Sequence, residues 1–291
     1  MKRIDMIENQ NQTTKFGSVR QDSYLFLTDL DGTILNEKKQ VTPKTEKALT
    51  EFVRRGNTFA ICTGRDMNSA RSVYQGLGLS LPGSFVVAYN GGQIYSVDLD
   101  ETIFRIGIEK KMVAELFAMA REYGVHIHTY NDRFILTPEY NECMDFYRRV
   151  IKTPVIVSEK IMEFVEVPPC KMICIELHDH EKQERFRKAV LERFGDTLDL
   201  MYSNAYYLEL IPKESGKGSA LLRLRDLLGI RPDHTMAAGD ADNDISMIKA
   251  AGIGIAMKNA ADTVKAAADV VTEEDNDHDG LAPILWSVMK E

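Results

Sequence analysis

The chain has 291 residues, and its acidic residues outnumber Lys and Arg by 44 to 36, which gives a formal net charge of −8. This balance argues against a general nucleic-acid binder, because such proteins neutralise backbone phosphates with Lys and Arg. No apolar run approaches the ~18 residues that a membrane-spanning helix requires, so we expect no integral membrane protein. At ~150 residues per domain, the length predicts two domains or one domain with a large insertion.

Residues 1–22 are polar and lack the apolar segment of a signal peptide, so we interpret them as an N-terminal extension and expect a cytoplasmic protein. The cysteines form no disulfide framework and no C-x-x-C pair, which indicates reduced thiols. They are Cys62, Cys143, Cys170 and Cys174.

Short β-rich runs alternate with helical segments in the first part of the chain. A helix is predicted from Thr42 to Gly56, because Thr42 can serve as the N-cap, Pro43 suits the first turn and Gly56 can end the helix. The β-rich runs around it are Tyr24–Leu27, Thr58–Cys62 and Phe85–Ala88. Strands alternating with helices are typical of right-handed βαβ units, so we predict a parallel sheet.

The middle of the chain breaks this alternation. Two β-rich runs, Val125–Tyr130 and Arg133–Thr137, are separated by Asn131-Asp132 and predict a hairpin. The elements predicted around them are helices over 109–123, 139–151 and 181–194, a β-rich run over 171–177 and two more runs ending near Ile211. We interpret this segment as an α+β domain in its own right.

The alternation of strands and helices returns after Lys217. The predicted elements are a helix to Leu228, β-rich runs over 235–238, 254–257 and 269–272, helices over 244–251 and 260–267, and a terminal helix. The sequence therefore predicts an α/β fold. A Rossmann-like core with a parallel sheet, residues 23–104 and 209–291, is interrupted by an inserted domain, residues 105–208. The acidic stretch 273–277 is interpreted as a solvated loop.

Polar side chains follow the ends of four predicted strands. Asp29 and Asp31 come after the first run, Thr63 after the second and Asn90 after the third, while the cluster 239–244 follows a later run. Ligands of open α/β sheets gather at the carboxyl ends of the strands. We therefore expect these groups to meet at one edge of the sheet.

Several carboxylates at one edge repel each other unless a cation lies between them. Mg²⁺ suits such a site, because it prefers carboxylates, waters and a substrate phosphate in octahedral geometry. Lys217, which lies between Gly216 and Gly218 at a helix start, can add positive charge for an anionic group. The groups needed for phosphoryl transfer are thus all present: a nucleophile, an acid/base group, a metal site and a cation.

Four motifs at these positions resemble those of the haloacid dehalogenase superfamily, in the same order. They are Asp29-x-Asp31-x-Thr33, Thr63-Gly64-Arg65, Lys217 and Gly239-Asp240-x-x-Asn243-Asp244. The stretch 252–260 and the insertion between the second and third motifs resemble the Cof-type, subclass IIB phosphatases. The resemblance covers the chain from about Tyr24 onward. It implies that the insertion is a C2-type α+β cap that closes over the active site and sets specificity.

The resemblance also implies a role for each matching residue. Asp29 is expected to attack phosphorus and form an aspartyl-phosphate. Asp31 is expected to protonate the leaving alcohol and then to activate water. The Mg²⁺ ligands implied are Asp29, the backbone carbonyl of Asp31 and Asp240, with Asp244 supporting them and preferred over Asp242.

The remaining motif residues are expected to contact the phosphoryl group or to support the site. By resemblance, Thr63 and Lys217 stabilise charge on the transferring phosphoryl group. Substrate contacts are implied for Gly64, Asn90 and Asn243. Thr33 and Arg65 are assigned structural roles. Residues 131–133 and 202–204 of the cap carry polar side chains and are the candidates for contacts with the substrate.

The sequence predicts a Mg²⁺-dependent phosphatase of small phosphorylated metabolites, with sugar phosphates as the favoured class. Two alternatives stay open: a phosphohexomutase of the same subclass, and a non-enzymatic regulator that binds phosphorylated metabolites. We expect a monomer or weak homo-oligomer with no nucleic-acid partner.

Two histidine pairs leave a second metal site open. His126 and His128 alternate along one β-rich run, and His178 and His180 repeat the spacing, so each pair is expected to share a face. Polar faces of cap strands are the favoured interpretation, because no third ligand has the spacing of a zinc site.

Overall fold

The computed structural model describes residues 22–79 and 81–290. The predicted N-terminal extension lies outside the described residues, apart from Asp22. No helix in the described part of the chain is both long and apolar enough to span a bilayer.

The strands and helices are numbered in chain order. The strands are β1 (Leu25–Thr28), β2 (Thr58–Cys62), β3 (Phe85–Ala88), β4 (Gln93–Ser96), β5 (Glu101–Arg105), β6 (His126–Tyr130), β7 (Ile135–Thr137), β8 (Val155–Val157), β9 (Met172–Ile175), β10 (Leu198–Tyr202), β11 (Tyr207–Pro212), β12 (Thr235–Gly239), β13 (Ile253–Ala256) and β14 (Val270–Val271). The helices are α1 (Pro43–Arg54), α2 (Met67–Gly76), α3 (Lys110–Tyr123), α4 (Glu142–Arg148), α5 (His180–Phe194), α6 (Lys217–Leu228), α7 (Ile245–Ala250), α8 (Asp262–Lys265) and α9 (Ala282–Val288).

The described part of the chain divides into two compact units. The first unit takes in the residues up to Gly64, Val73–Ile103 and the chain from Gly216 onward. The second unit takes in Arg65–Ser72 and Phe104–Ser215.

The first unit contains an eight-stranded sheet in the order β14-β13-β12-β1-β2-β3-β4-β5. Strand β1 pairs in parallel with β2 on one side and with β12 on the other. Parallel pairing continues to β3, β13 and β14, while β4 runs antiparallel to β3. Every residue of β1, β2 and β3 is buried. Strands of a parallel sheet are covered on both faces, which explains why these sequences are almost entirely apolar. The predicted α/β fold with a parallel sheet is confirmed, and the carboxyl ends of β1, β2 and β12 lie at one edge.

Helix α1 begins where the sequence predicted, but a distant residue caps it. Thr42 occupies the N-cap position without a side-chain capping hydrogen bond. The carboxylate of Asp279 takes that role, because its Oδ1 accepts from the backbone N–H groups of Lys44 and Thr45, at 2.9 and 3.3 Å. The loop before α9 thus holds the start of α1.

The second unit contains a six-stranded sheet in the order β10-β11-β9-β6-β7-β8. The β7–β8 pair is parallel and the other pairs are antiparallel. Helices α3 and α5 pack against one face through a core that includes Leu116 and Phe186. The predicted hairpin is present as β6 and β7.

Two features of the chain's organisation differ from the predicted elements. Strands β4, β5 and β8 have no predicted counterpart. The side chains of β5 and β8 are half-buried or exposed, so these two strands carry little periodic apolar signal. The predicted boundary between residues 208 and 209 falls inside β11, which pairs with both β10 and β9, and the second unit runs to Ser215.

Candidate active site

The first motif forms a tight turn directly after the central strand. The backbone N–H of Asp29 donates to the carbonyl of Ala238 at 3.0 Å, which ties the turn to β12. Gly32 has a φ of +83°, and a Cβ at this position would collide with the carboxylate of Asp240. Thr33 Oγ1 donates to Asp240 Oδ1 at 2.8 Å. The glycine therefore lets the turn approach Asp240, and Thr33 holds the Asp240 carboxylate in place.

Three carboxylates of the first unit meet at this edge. Oxygen atoms of Asp29, Asp240 and Asp244 all lie within 4.8 Å of one another. Lys217, the first residue of α6, places its Nζ 2.6 Å from both Asp29 Oδ1 and Asp244 Oδ1. The side chains of Lys217 and Asp244 are fully buried. One ammonium thus faces three carboxylates, which leaves an excess of negative charge when all are ionised.

Burial and the neighbouring charges together shift the pKa values of these groups. Burial raises the pKa of Asp29 to about 6; the Lys217 ammonium opposes the rise, and the Asp244 and Asp240 carboxylates add to it. Burial also raises the pKa of Asp240, against a hydrogen bond from Thr33. For Lys217, burial lowers the pKa, but Asp29 and Asp244 outweigh it and the net shift is upward. The lysine is therefore charged at neutral pH.

The donor set fits a hard divalent cation such as Mg²⁺. Its members are oxygen ligands that carry more negative charge than Lys217 neutralises, and they include no imidazole or thiolate within the described residues. A divalent cation among them would offset the carboxylate repulsion that adds to the rise in the pKa of Asp29.

Asp244, and not Asp242, belongs to this group. Asp244 Oδ2 accepts from the backbone N–H groups of Asp240 and Ala241 at 3.0 and 3.1 Å, while its Oδ1 accepts from Lys217. A Cβ on Gly239 would overlap the Asp244 side chain, so only glycine leaves room for it. Asp242 is exposed and accepts from Thr263 Oγ1 instead.

The residues predicted to contact substrate lie together beside β2 and β3. The backbone N–H of Asn90 donates to the carbonyl of Thr63 at 3.0 Å. Asn243 Nδ2 donates to Asn90 Oδ1 at 3.4 Å, and a Cβ on Gly64 would lie 3.2 Å from the same oxygen. Asn90 has a φ of 53°, in the left-handed region, as does Tyr89 before it.

Asp31 does not join the group of three carboxylates with its side chain. Its Oδ1 accepts instead from Lys39 Nζ at 2.7 Å. The Asp31 side chain is 39% exposed, whereas that of Asp29 is 12% exposed. Lys39 has no counterpart among the predicted site residues, because it stands in a loop that matches no motif.

The residues of the second unit that were considered for substrate contacts, 131–133 and 202–204, stabilise turns of their own loops. Asn131 Oδ1 accepts from the backbone N–H groups of Arg133 and Phe134, and Asn204 Oδ1 accepts from those of Tyr206 and Tyr207. These two side chains are therefore engaged within their own loops.

The histidine pairs behave differently from each other. His126 and His128 share a face as predicted, with Nε2 of the first 3.3 Å from Nδ1 of the second, and both are buried. His178 is exposed and lies 3.0 Å from Glu142. Neither pair belongs to a cluster of three potential metal ligands within the described residues.

Comparison with known proteins places the chain in a family. The sequence profile of the haloacid dehalogenase-like hydrolases matches residues 26–285. The 5-amino-6-(5-phospho-D-ribitylamino)uracil phosphatase YcsE of Bacillus subtilis is 29% identical over 276 residues, which cover 91% of this chain and 95% of YcsE. Phosphatase YwpJ of the same organism is 28% identical over 288 residues, covering 90% of this chain and 98% of YwpJ.

A solved structure supports the same assignment. The crystal structure of a haloacid dehalogenase-like hydrolase from Bacteroides thetaiotaomicron superposes with a TM-score of 0.82 at 28% identity, and the match covers 91% of this chain and 99% of that one. The chain therefore belongs to the haloacid dehalogenase-like hydrolases, a family in which both of these Bacillus relatives are named phosphatases.

Proposed function

We propose that this hydrolase is a Mg²⁺-dependent phosphatase, a phosphomonoesterase that acts on small phosphorylated metabolites, with sugar and polyol phosphates as the favoured substrates. The observation that carries the proposal is the buried Lys217, which bridges Asp29 and Asp244 at the strand edge where Asp240 completes an oxygen-lined site. The name of YcsE, a phosphatase of a phosphoribityl compound, supports a phosphorylated polyol or sugar.

In this proposal Asp29 is the nucleophile. Its carboxylate lies at the end of β1, and its position is fixed by Lys217 on one oxygen and by the backbone bond to Ala238. Attack on phosphorus requires the ionised carboxylate, which the raised pKa disfavours below about pH 6 in the absence of metal. Bound Mg²⁺, held by Asp29, Asp240 and the Asp31 carbonyl, would neutralise carboxylate and phosphoryl charge.

The other residues of the site have distinct tasks. Asp31 protonates the leaving oxygen and then takes a proton from the water that hydrolyses the aspartyl-phosphate. Lys217 and Thr63 stabilise negative charge on the phosphoryl group in the transition state. Asn90, Gly64 and Asn243 bind the substrate phosphate, a task that their clustering supports.

A phosphate-release assay with Mg²⁺ over sugar, polyol, nucleotide and cofactor phosphates tests the proposal. We expect the wild type to release phosphate and Asp29→Asn to release none. Asp242→Asn, a matched change at an exposed neighbour outside the cluster, should keep the wild-type rate. Full activity of Asp29→Asn would exclude Asp29 as the nucleophile.

Two further outcomes distinguish the alternatives. An isomeric phosphate product with little free phosphate would identify a phosphohexomutase. Binding of phosphorylated metabolites without turnover across the whole panel would identify a regulator. For the compartment we propose the cytoplasm, and the four buried cysteines, all of which are free thiols, support that location.

A further inference from the structure

The ion pair between Asp31 and Lys39 links the proposed acid/base group to a loop that no motif covers. Lys39 Nζ lies 2.7 Å from Asp31 Oδ1, eight positions away in the sequence. Both side chains are substantially exposed, at 62% for Lys39 and 39% for Asp31. An exposed pair of this kind contributes little to stability, so removing it should leave the fold intact.

The backbone of Lys39 gives a second, independent observation. Residues 36–40 form a tight turn in which Asn36 N–H donates to the carbonyl of Gln40 and Lys39 N–H donates to that of Asn36, each at 2.9 Å. Within this turn Lys39 has a φ of 60°. Glycine and asparagine adopt that conformation with less strain than lysine does. Backbone strain of this kind clusters at functional sites, which supports a functional role for the Lys39 side chain.

The acidic loop that follows β14 braces the same turn from outside. Asn276 Nδ2 donates to the carbonyl of Leu35 at 2.8 Å, and Asp277 Oδ1 accepts from the backbone N–H of Glu37 at 2.9 Å. The interpretation of residues 273–277 as a solvated loop was therefore incomplete. Asn276 and Asp277 bind the backbone on either side of Asn36, the first residue of the turn, and so hold the turn in place.

We propose that Lys39 is a positioning residue for Asp31. Its ammonium donates to Oδ1 of Asp31, which holds the carboxyl group in one orientation and leaves Oδ2 to carry the proton. The turn formed by residues 36–40 places the ammonium there. The inference rests on the proposed function, because it assumes that Asp31 exchanges protons with the leaving group and with water.

The two proton transfers define what Lys39 does. In the first step Asp29 bonds to phosphorus, the bond from phosphorus to the leaving oxygen breaks, and the proton of Asp31 passes to that oxygen. In the second step water bonds to phosphorus, the bond from Asp29 to phosphorus breaks, and a proton of the water passes to Asp31. Lys39 keeps its own protons throughout, so it orients Asp31 and is not itself an acid or base.

Leaving groups of different basicity test this role. An alkyl phosphate needs protonation of its leaving oxygen, whereas 2,4-dinitrophenyl phosphate releases a stable phenolate without it. In Lys39→Asn we expect the single-turnover rate with an alkyl phosphate such as glycerol phosphate to fall about 10- to 100-fold, as for a misplaced catalytic group. The burst of dinitrophenolate should change less than about threefold, because that step needs no acid. The KM of Lys39→Asn for the alkyl phosphate should also change less than about threefold.

The variants separate positioning from a structural role. Asparagine tolerates a left-handed backbone, so Lys39→Asn should keep the wild-type thermal midpoint, and Lys39→Gly serves the same purpose should the first variant fold poorly. Lys39→Arg keeps the charge and the donors and should restore the alkyl phosphate rate. Lys38→Asn, the same charge change on the exposed neighbour, should leave both rates unchanged.

Three results would overturn the inference. They are an unchanged alkyl phosphate rate in both Lys39→Asn and Lys39→Gly, an equal loss on both substrates, and a loss that Lys38→Asn reproduces. A wild-type protein that releases phosphate from neither substrate would instead refute the proposed phosphatase function. Failure of that function and failure of the inference about Lys39 therefore give different results.

Discussion

Lys217→Met tests how the site contains its excess charge. Lys217 donates to Asp29 and Asp244 at 2.6 Å each, and its side chain is 0% exposed. Methionine has a similar volume and no charge, so both carboxylates lose a buried partner. Removing one partner of a buried ion pair costs about 3–5 kcal/mol. We expect the free energy of unfolding of the first unit to fall by that amount at pH 7.5.

The loss should depend on pH in a defined direction. The pKa of Asp29 is about 6 in the folded protein, against an ordinary value of 3.8. A carboxyl group whose pKa is higher in the folded state than in the unfolded state destabilises the fold above both values and ceases to do so below both. Removing Lys217 raises the folded-state pKa further. The difference between variant and wild type should therefore be largest above pH 7 and should shrink towards pH 4.

Urea unfolding followed by tryptophan fluorescence measures the effect in the right unit. Trp286 is the single tryptophan of the chain and lies on α9 of the first unit. Lys249→Met, the same substitution at an exposed position on α7, should change the free energy of unfolding by no more than about 0.5 kcal/mol. Saturating Mg²⁺ should stabilise both the variant and the wild type, because the ion binds only the folded site.

Two results would refute the reasoning for Lys217. A loss below about 1 kcal/mol at pH 7.5 would be typical of an exposed pair and would mean that the ammonium does not compensate the carboxylates. A loss that is the same at pH 4 and pH 7.5 would point to poor packing of the methionine, because packing defects do not titrate.

Three further predictions concern the surroundings of the site and the second unit. Gly239→Ala adds a Cβ that would overlap Asp244, so we expect lower values of both the thermal midpoint and the phosphate-release rate; Gly76→Ala, where a Cβ meets nothing within 4 Å, should lower neither. Asp279→Ala removes the cap of α1 and should lower the free energy of unfolding by about 1 kcal/mol, and an unchanged urea midpoint would contradict that role. Burial lowers the pKa of His126 from 6.5 to about 4, so its contribution to stability is complete above pH 6.5 and falls by about 3 kcal/mol towards pH 4. His126→Asn should flatten the pH profile of unfolding between these values.

The carboxyl ends of the parallel strands were the most predictable part of the site. Strands β1, β2 and β12 are buried along their whole length, so their sequences are continuous apolar runs that end sharply at polar residues. The order of such runs between helices implies parallel neighbours, and parallel neighbours bring Asp29, Thr63 and Asp240 to one edge. The apolar runs of the sequence are therefore enough to predict that these three side chains lie at the same edge of the sheet.

Contacts made by loops could not be predicted in the same way. Thr42 marks the start of α1 correctly, but the capping oxygen comes from Asp279, more than two hundred positions away. Asn276 and Asp277 bond to the backbone of the turn before α1 over a similar separation. Loop residues have no periodicity, so the sequence shows that they are polar without showing which groups they reach.

The histidines of β6 show a related difference. Alternation along a strand predicts that His126 and His128 share a face, which is confirmed, but it does not show what covers that face. In the structure Tyr147 of α4 packs over it, with its ring centroid 4.6 Å from that of His128, so an expected polar surface is buried. The covering element is a matter of tertiary packing, and its effect appears as the lowered pKa of both histidines, for which burial is the main cause.

The two aspartates of the first motif lie in different surroundings, and this difference supports the different tasks proposed for them. Asp29 and Asp31 are the same residue type, two positions apart, and the motif alone assigns them roles only by resemblance. The fold gives Asp29 a buried ammonium and two carboxylate neighbours, while it gives Asp31 an exposed ammonium on a braced turn. Pairs of carboxyl groups whose environments differ in this way are how one site holds both a fixed nucleophile and a proton carrier. The motif supplies the two carboxyl groups; Lys217 at the start of α6 and Lys39 in the turn before α1 give them different surroundings.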